Sequence, residues 1–137
     1  MKQVAMYVNG HTLDNKNPGA AGSGIVLSCD GHTKELYVPM GHTTNNHAEL
    51  AAVIAGLEAL TQPCTVTVYS CSQWLVRCAE GAWQRGKYLE MWQYLDELCK
   101  THRVTFEWIK KGSRELLDRA SALANEGANE SAVDLAS

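Results

Sequence analysis

The sequence predicts one α/β domain in which helices pack on a single mixed β-sheet. Two observations carry this. Three strand-like segments open the chain with turn signals between them, and helical and strand periodicities then alternate to the C-terminus. The 137 residues are 45% hydrophobic and 20% charged, which supplies one core and shows no mark of disorder. An opening meander followed by alternating elements implies three antiparallel strands with two parallel additions.

Each element has its own signal. "QVAMYVN" alternates as a strand, and "NKNPGAAGSG" is a Gly-rich turn. "GIVLSC" and "KELYVPM" are two further strands joined by "DGH", a turn of the Asp-Gly type. "TTNNHAELAAVIAGLEALTQP" changes period: Leu50, Val53, Ile54 and Leu57 share one helical face, Asn45 or Asn46 is placed to cap, and Pro63 follows the end. "CTVTVYS" is a strand, "SQWLVRCAEGAW" a short helix broken at Gly81, "YLEMWQYLDELCKTH" another helix and "RVTFEWIK" the last strand. "SRELLDRASALANEGA" closes the domain as a helix with Leu116, Ala120, Leu123 and Ala124 on one face. Residues 1–128 thus form the domain, and 129–137 are expected to be a loosely held tail.

Composition excludes several classes. No run approaches the roughly 18 apolar residues of a membrane span, and "MKQVAMYV" has no signal-peptide pattern, so a cytoplasmic protein is expected. Five cysteines without a C-x-x-C pair suggest buried free thiols, not a disulfide framework or zinc finger. A net charge of -3 argues against a general nucleic-acid condenser and leaves only a local basic patch for such binding. Lys100, Arg103, Lys110, Lys111, Arg114 and Arg119 supply one. Trp92 and Trp108 read as core, and the five histidines as scattered surface groups.

The element order and six local phrases resemble type 1 ribonuclease H across nearly the whole chain. The phrases are "YVNG", "NPG" at 17–19, "TTNNHAEL", "YSCSQW", "FEWIKKGS" and "DRASALANEGA". The resemblance implies a five-stranded ribonuclease H-like sheet with the first strand central. It also implies a chemistry in which two Mg²⁺ ions, about 4 Å apart and held by four carboxylates, cut the RNA strand of an RNA/DNA hybrid.

Carried over position by position, the four acidic places hold Asn9, Glu49, Cys71 and Ser121, and the family's histidine falls on Ser113. Only Glu49 is acidic. Mg²⁺ requires anionic oxygen ligands, so no metal is expected beyond one weak ion at Glu49, and Mg²⁺ or Mn²⁺ matters only if residual activity exists. Asp118, one helical turn before Ser121, and Asp14, near Asn9, are the surrogate carboxylates; the preferred reading of Asp118 is a first-turn helix charge. A zinc site from Cys71, His47 and Glu49 is the alternative to Cys71 as a small buried hydrophobe.

The substrate-holding positions keep their type. Asn17, Asn46 and Gln73 match polar groups that, as the resemblance implies, contact the hybrid in its minor groove. Lys110 and Lys111 fall beside the site, whereas the basic protrusion of many relatives is cut to "GAWQRGKY", leaving Arg85 and Lys87. The leading expectation is a catalytically inactive binder of RNA/DNA hybrid or structured duplex. The alternatives are a protein-interaction module with a protein partner, and a weak residual nuclease.

Overall fold

A computed structural model describes all residues, Met1–Ser137. β1 (Lys2–Thr12), β2 (Gly19–Cys29) and β3 (His32–Thr43) form the antiparallel meander; α1 (Asn45–Glu58), β4 (Cys64–Ser70), α2 (Gln73–Glu80), α3 (Leu89–Cys99), β5 (Arg103–Trp108) and α4 (Glu115–Ala136) follow. The five strands lie in the order β3-β2-β1-β4-β5, with β4 parallel to β1 and β5 parallel to β4. β1 is therefore central. Asp30 and Gly31, both at positive φ, make the two-residue turn that pairs Cys29 with His32.

One sheet face packs on α1, α2 and α3. Val4, Met6, Val8, Ile25, Val66 and Val68 meet Leu50, Val53, Ile54, Leu57, Leu75, Trp92 and Leu95 in a 17-residue core. The helical face read from the sequence is the buried one, with Leu50 and Val53 wholly inaccessible. The other face packs on α4 and has a different logic. A methyl group on Gly24 would lie 1.9 Å from the carbonyl of Ala120, and one on Gly22 would lie 2.3 Å from that of Ala124. The Gly-rich β2 and the Ala-rich stripe of α4 thus bring backbone against backbone, and a side chain at Gly24 would force them apart.

Four expectations are corrected. α4 runs on to Ala136, so 129–137 is not a loose tail: it is helical nearly to its end, and Ser131 is buried, donates to the Ala21 carbonyl and accepts from Gly41 N–H. Leu117, not Leu116, is the buried leucine that opens α4: it lies three residues before Ala120 on the face that Leu123 and Ala124 continue, and Leu116 is only partly covered at its edge. Trp92 is core, but Trp108, at the end of the edge strand β5, is 43% exposed and donates its Nε1–H to the Cys71 carbonyl. Two histidines are structural and not scattered surface groups: His47 stacks on Tyr88, and His102 Nδ1 accepts from Cys64 N–H.

Candidate active site and adjoining groove

The C-terminal ends of the parallel strands β1 and β4 meet the start of α1 and one flank of α4. Gly10 permits this meeting: a Cβ there would lie 2.5 Å from the backbone nitrogen of Glu49. α1 therefore approaches β1 closely enough for Gly10 N–H to donate to Glu49 Oε1 at 2.9 Å. Thr44 caps α1 by accepting from His47 N–H, so the cap is neither Asn45 nor Asn46; the helix begins one residue before the predicted asparagine cap would allow.

Asn9, Glu49, Cys71 and Ser121 come together around one point. Asn9 Nδ2 donates to Ser121 Oγ at 2.7 Å, and the Ser121 hydroxyl donates on to the Leu117 carbonyl at 3.1 Å. Glu49, 5% exposed, accepts from Gly10 N–H and, at 3.5 Å, from the Ser70 hydroxyl. Burial pushes its carboxyl up to about 8, against the opposing pull of those two hydrogen bonds, so it is mainly protonated at neutral pH. Cys71, half-buried just past β4, has its thiol pushed up by burial first and by Glu49 second. It is a thiol, not a thiolate, in this setting.

The remaining predicted residues divide. Ser113 sits in the exposed turn before α4, where its hydroxyl donates to the Lys110 carbonyl. Asp118 and Asp14 are exposed, and neither lines the cavity in front of Asn9. His47 Nδ1 is engaged by Thr43 Oγ1 at 2.8 Å, away from Cys71, which removes the zinc arrangement. No three His, Cys, Asp or Glu side chains gather closely enough to hold a metal ion. The pair of Mg²⁺ ions that the ribonuclease resemblance implies does not fit this donor set: an amide already bonded to a serine, a thiol and a hydroxyl leave the buried Glu49 as the one carboxyl among the four positions.

Two cavities flank the start of α1. The first, about 330 Å³, is lined by Asn9, His11, Asn15, Asn17, Asn45, Cys71 and Lys111 among its nine residues. The second, about 560 Å³, lies on the far side of Asn17 and is lined by Thr44, Asn46, Trp74, Lys87 and Tyr88. Asn17 belongs to both, and its Oδ1 accepts from Asn45 N–H at 3.0 Å, tying the Gly-rich turn to the helix start. Tyr88, in left-handed conformation, stacks on His47 and bonds the Thr44 hydroxyl, while Trp74 meets it edge-on. Gln73 opens α2, exposed and outside both cavities.

The basic residues are less available than their number suggests. Arg85 is committed to the fold: it pairs with Asp96 at 2.7 Å, donates to the Cys78 carbonyl and lies over Trp92 at 4.4 Å. Arg119 holds Glu35 through two hydrogen bonds, Lys100 holds Glu97, and Arg114 lies over Tyr69. Lys87 and Lys111 are exposed cations that line one cavity each, with exposed Lys110 and Lys16 next in the chain to lining residues. Thr44 and Tyr88 escaped the sequence reading. Thr44 stands beside the flagged asparagines, but nothing local marks Tyr88 as their partner across 44 residues.

Comparison with known proteins gives a consistent family. The RNase H profile matches residues 1–136. A ribonuclease H of Cupriavidus metallidurans is 38% identical over 141 residues, spanning 93% of this chain and 96% of that protein. The N-terminal RNase H domain of a Mycobacterium tuberculosis protein superposes with a TM-score of 0.86 at 26% identity, over 98% of this chain and 99% of that one. LC11-RNase H1, isolated from compost and solved in complex with an RNA/DNA hybrid, superposes with a TM-score of 0.78 at 28% identity, over 93% and 97%. No helix of the chain is long and apolar enough to cross a membrane.

Proposed function

The chain belongs to the RNase H family, and within it we propose a member that binds RNA/DNA hybrid or a similar duplex without cutting it. The observation that carries this reading is the Asn9–Ser121 hydrogen bond at 2.7 Å. Two positions that the family resemblance assigns to metal-holding carboxylates satisfy each other as neutral groups, so the site is closed by its own bonding and needs no cation.

Two-metal hydrolysis depends on anionic oxygens that neutralise and place the ions for an in-line attack. Here the single carboxyl is buried and already accepts from Gly10 N–H and the Ser70 hydroxyl. No exposed acid replaces the others, since Asp14 and Asp118 stand outside the cavity. Binding makes different demands. It requires amide and hydroxyl groups for 2′-hydroxyls and base edges, aromatic surface, and a few lysines for phosphate. The groove supplies all three with Asn17, Asn46, Thr44, Trp74, Tyr88 and Lys87. The relative solved with a hybrid supports that ligand class.

Fluorescence anisotropy tests the reading. A labelled RNA/DNA hybrid is titrated with the protein in EDTA at low and moderate salt, with duplex DNA of the same sequence for comparison. The expected result is saturable, hybrid-preferring binding that weakens as salt rises. Absence of binding at low salt would overturn the reading and move the search to a protein partner.

A further inference from the structure

From the cavity beside Asn9 we infer that the place where relatives of this fold would hold metal is here a direct, metal-free seat for a backbone phosphodiester. This deepens the hybrid-binding reading and rests on it. The argument is one of charge sign and of donor type. No Asp or Glu is among the nine lining residues; the ionisable ones are Lys111, His11 and Cys71. Glu49, the nearest carboxyl, is turned to Gly10 N–H and the Ser70 hydroxyl and does not line the space. A cavity that would repel phosphate without bridging cations therefore attracts it.

The donors suit an anion. Asn17 commits its carbonyl oxygen to Asn45 N–H, which leaves its Nδ2 amide hydrogens for a ligand. Lys111, exposed past β5, provides an ammonium at the cavity wall, and charge-assisted hydrogen bonds to phosphate are the stronger kind. The volume of about 330 Å³ holds a phosphodiester together with several waters, at roughly 30 Å³ each. The cavity adjoins the larger groove at Asn17, so a strand lying along Asn46 and Lys87 would carry its neighbouring phosphate to Lys111.

Cys71 lines this cavity and gives a local reporter, whereas Cys29 lines a separate cavity with Lys2 and Cys64. The full chain in EDTA is treated with iodoacetamide, and alkylation of each cysteine is followed by mass spectrometry. Dimethyl phosphate, inorganic phosphate and chloride are compared at matched ionic strength. Dimethyl phosphate at roughly ten times its dissociation constant should slow Cys71 about tenfold, as mass action requires of a competing occupant, and leave Cys29 unchanged. Lys111→Gln should weaken that protection, and Asn9→Asp should abolish it while both variants keep the parent's circular dichroism.

Equal slowing of Cys29, protection by inorganic phosphate alone, or no protection of Cys71 would each overturn the inference. Hybrid binding in anisotropy without dimethyl phosphate protection removes this seat and spares the binding reading. Protection without hybrid binding removes the reading and leaves an anion site.

Discussion

The two cavities beside the start of α1 share Asn17 and little else. One is lined by Asn9 and Cys71, two of the four positions on which metal chemistry would depend, while Ser121 bonds Asn9 and Glu49 bonds Gly10 from outside its lining. The other keeps asparagine, threonine, aromatic rings and a lysine. On the proposed reading, grip and chemistry are separable within one fold. Metal catalysis fails when a few charges are lost, because neutral oxygens do not repay the dehydration of Mg²⁺. A groove that reads hydroxyls and shape tolerates that loss, since its contacts are many and individually modest.

The largest expected effect concerns Glu49, and it sharpens the contrast by showing a carboxyl kept neutral by burial. Its folded pKa of about 8 lies above the ordinary value of 4.5, so folding favours the protonated form. That contribution is complete below about pH 4.5 and is lost as pH rises through about 8. Unfolding free energy from urea titration should fall by on the order of 4 kcal/mol from this group between those limits. Glu49→Gln, whose amide oxygen accepts from Gly10 and whose NH₂ can donate to Ser70, should flatten this dependence. An unchanged pH profile in that variant would show that Glu49 is not the group responsible.

Restoring the acids attacks the comparison from the other side. The triple variant Asn9→Asp, Cys71→Asp, Ser121→Asp places like charges together, which should cost on the order of 2 kcal/mol, or roughly 5–10 °C in Tm, without metal. Added Mg²⁺ should recover the loss by binding the native state. A Tm unaffected in both conditions would contradict the placement of these residues around one site. In the groove, Asn46→Ala should weaken hybrid binding by about 1 kcal/mol, close to fivefold. Lys87→Ala should lower the slope of log affinity against log salt by about 1. Equal hybrid affinity in both variants and the parent would break the assignment of the groove. The smallest effect belongs to Arg119→Ala: its pair with Glu35 is substantially exposed, so urea titration should show little loss of stability and hybrid affinity should not change.

The mixed sheet and the buried face of α1 were legible because alternation and helical period directly encode which side chains are apolar, whereas the central place of β1 came only through the family resemblance. The gathering of Asn9, Glu49, Cys71 and Ser121 was legible only through family resemblance, since 112 residues separate Asn9 from Ser121. What escaped depended on tertiary partners. Arg85 read as a free cation until Asp96 and Trp92 closed on it. The polar segment 129–137 read as a tail because its one anchoring side chain, Ser131, is polar and is buried only by bonding to two other strands. Trp108 matched a strand pattern, but β5 is an edge, and an edge strand has no further neighbour to cover it.

The central claim is that the hybrid is held without metal and left intact. One measurement addresses it most directly: anisotropy of an end-labelled RNA/DNA hybrid titrated in EDTA and in Mg²⁺, with the RNA strand of each sample then resolved on a denaturing gel. Equal dissociation constants in the two buffers and a full-length RNA strand are the predicted result. Binding that requires Mg²⁺, or a shortened RNA strand that remains full-length with Glu49→Gln, would contradict the account.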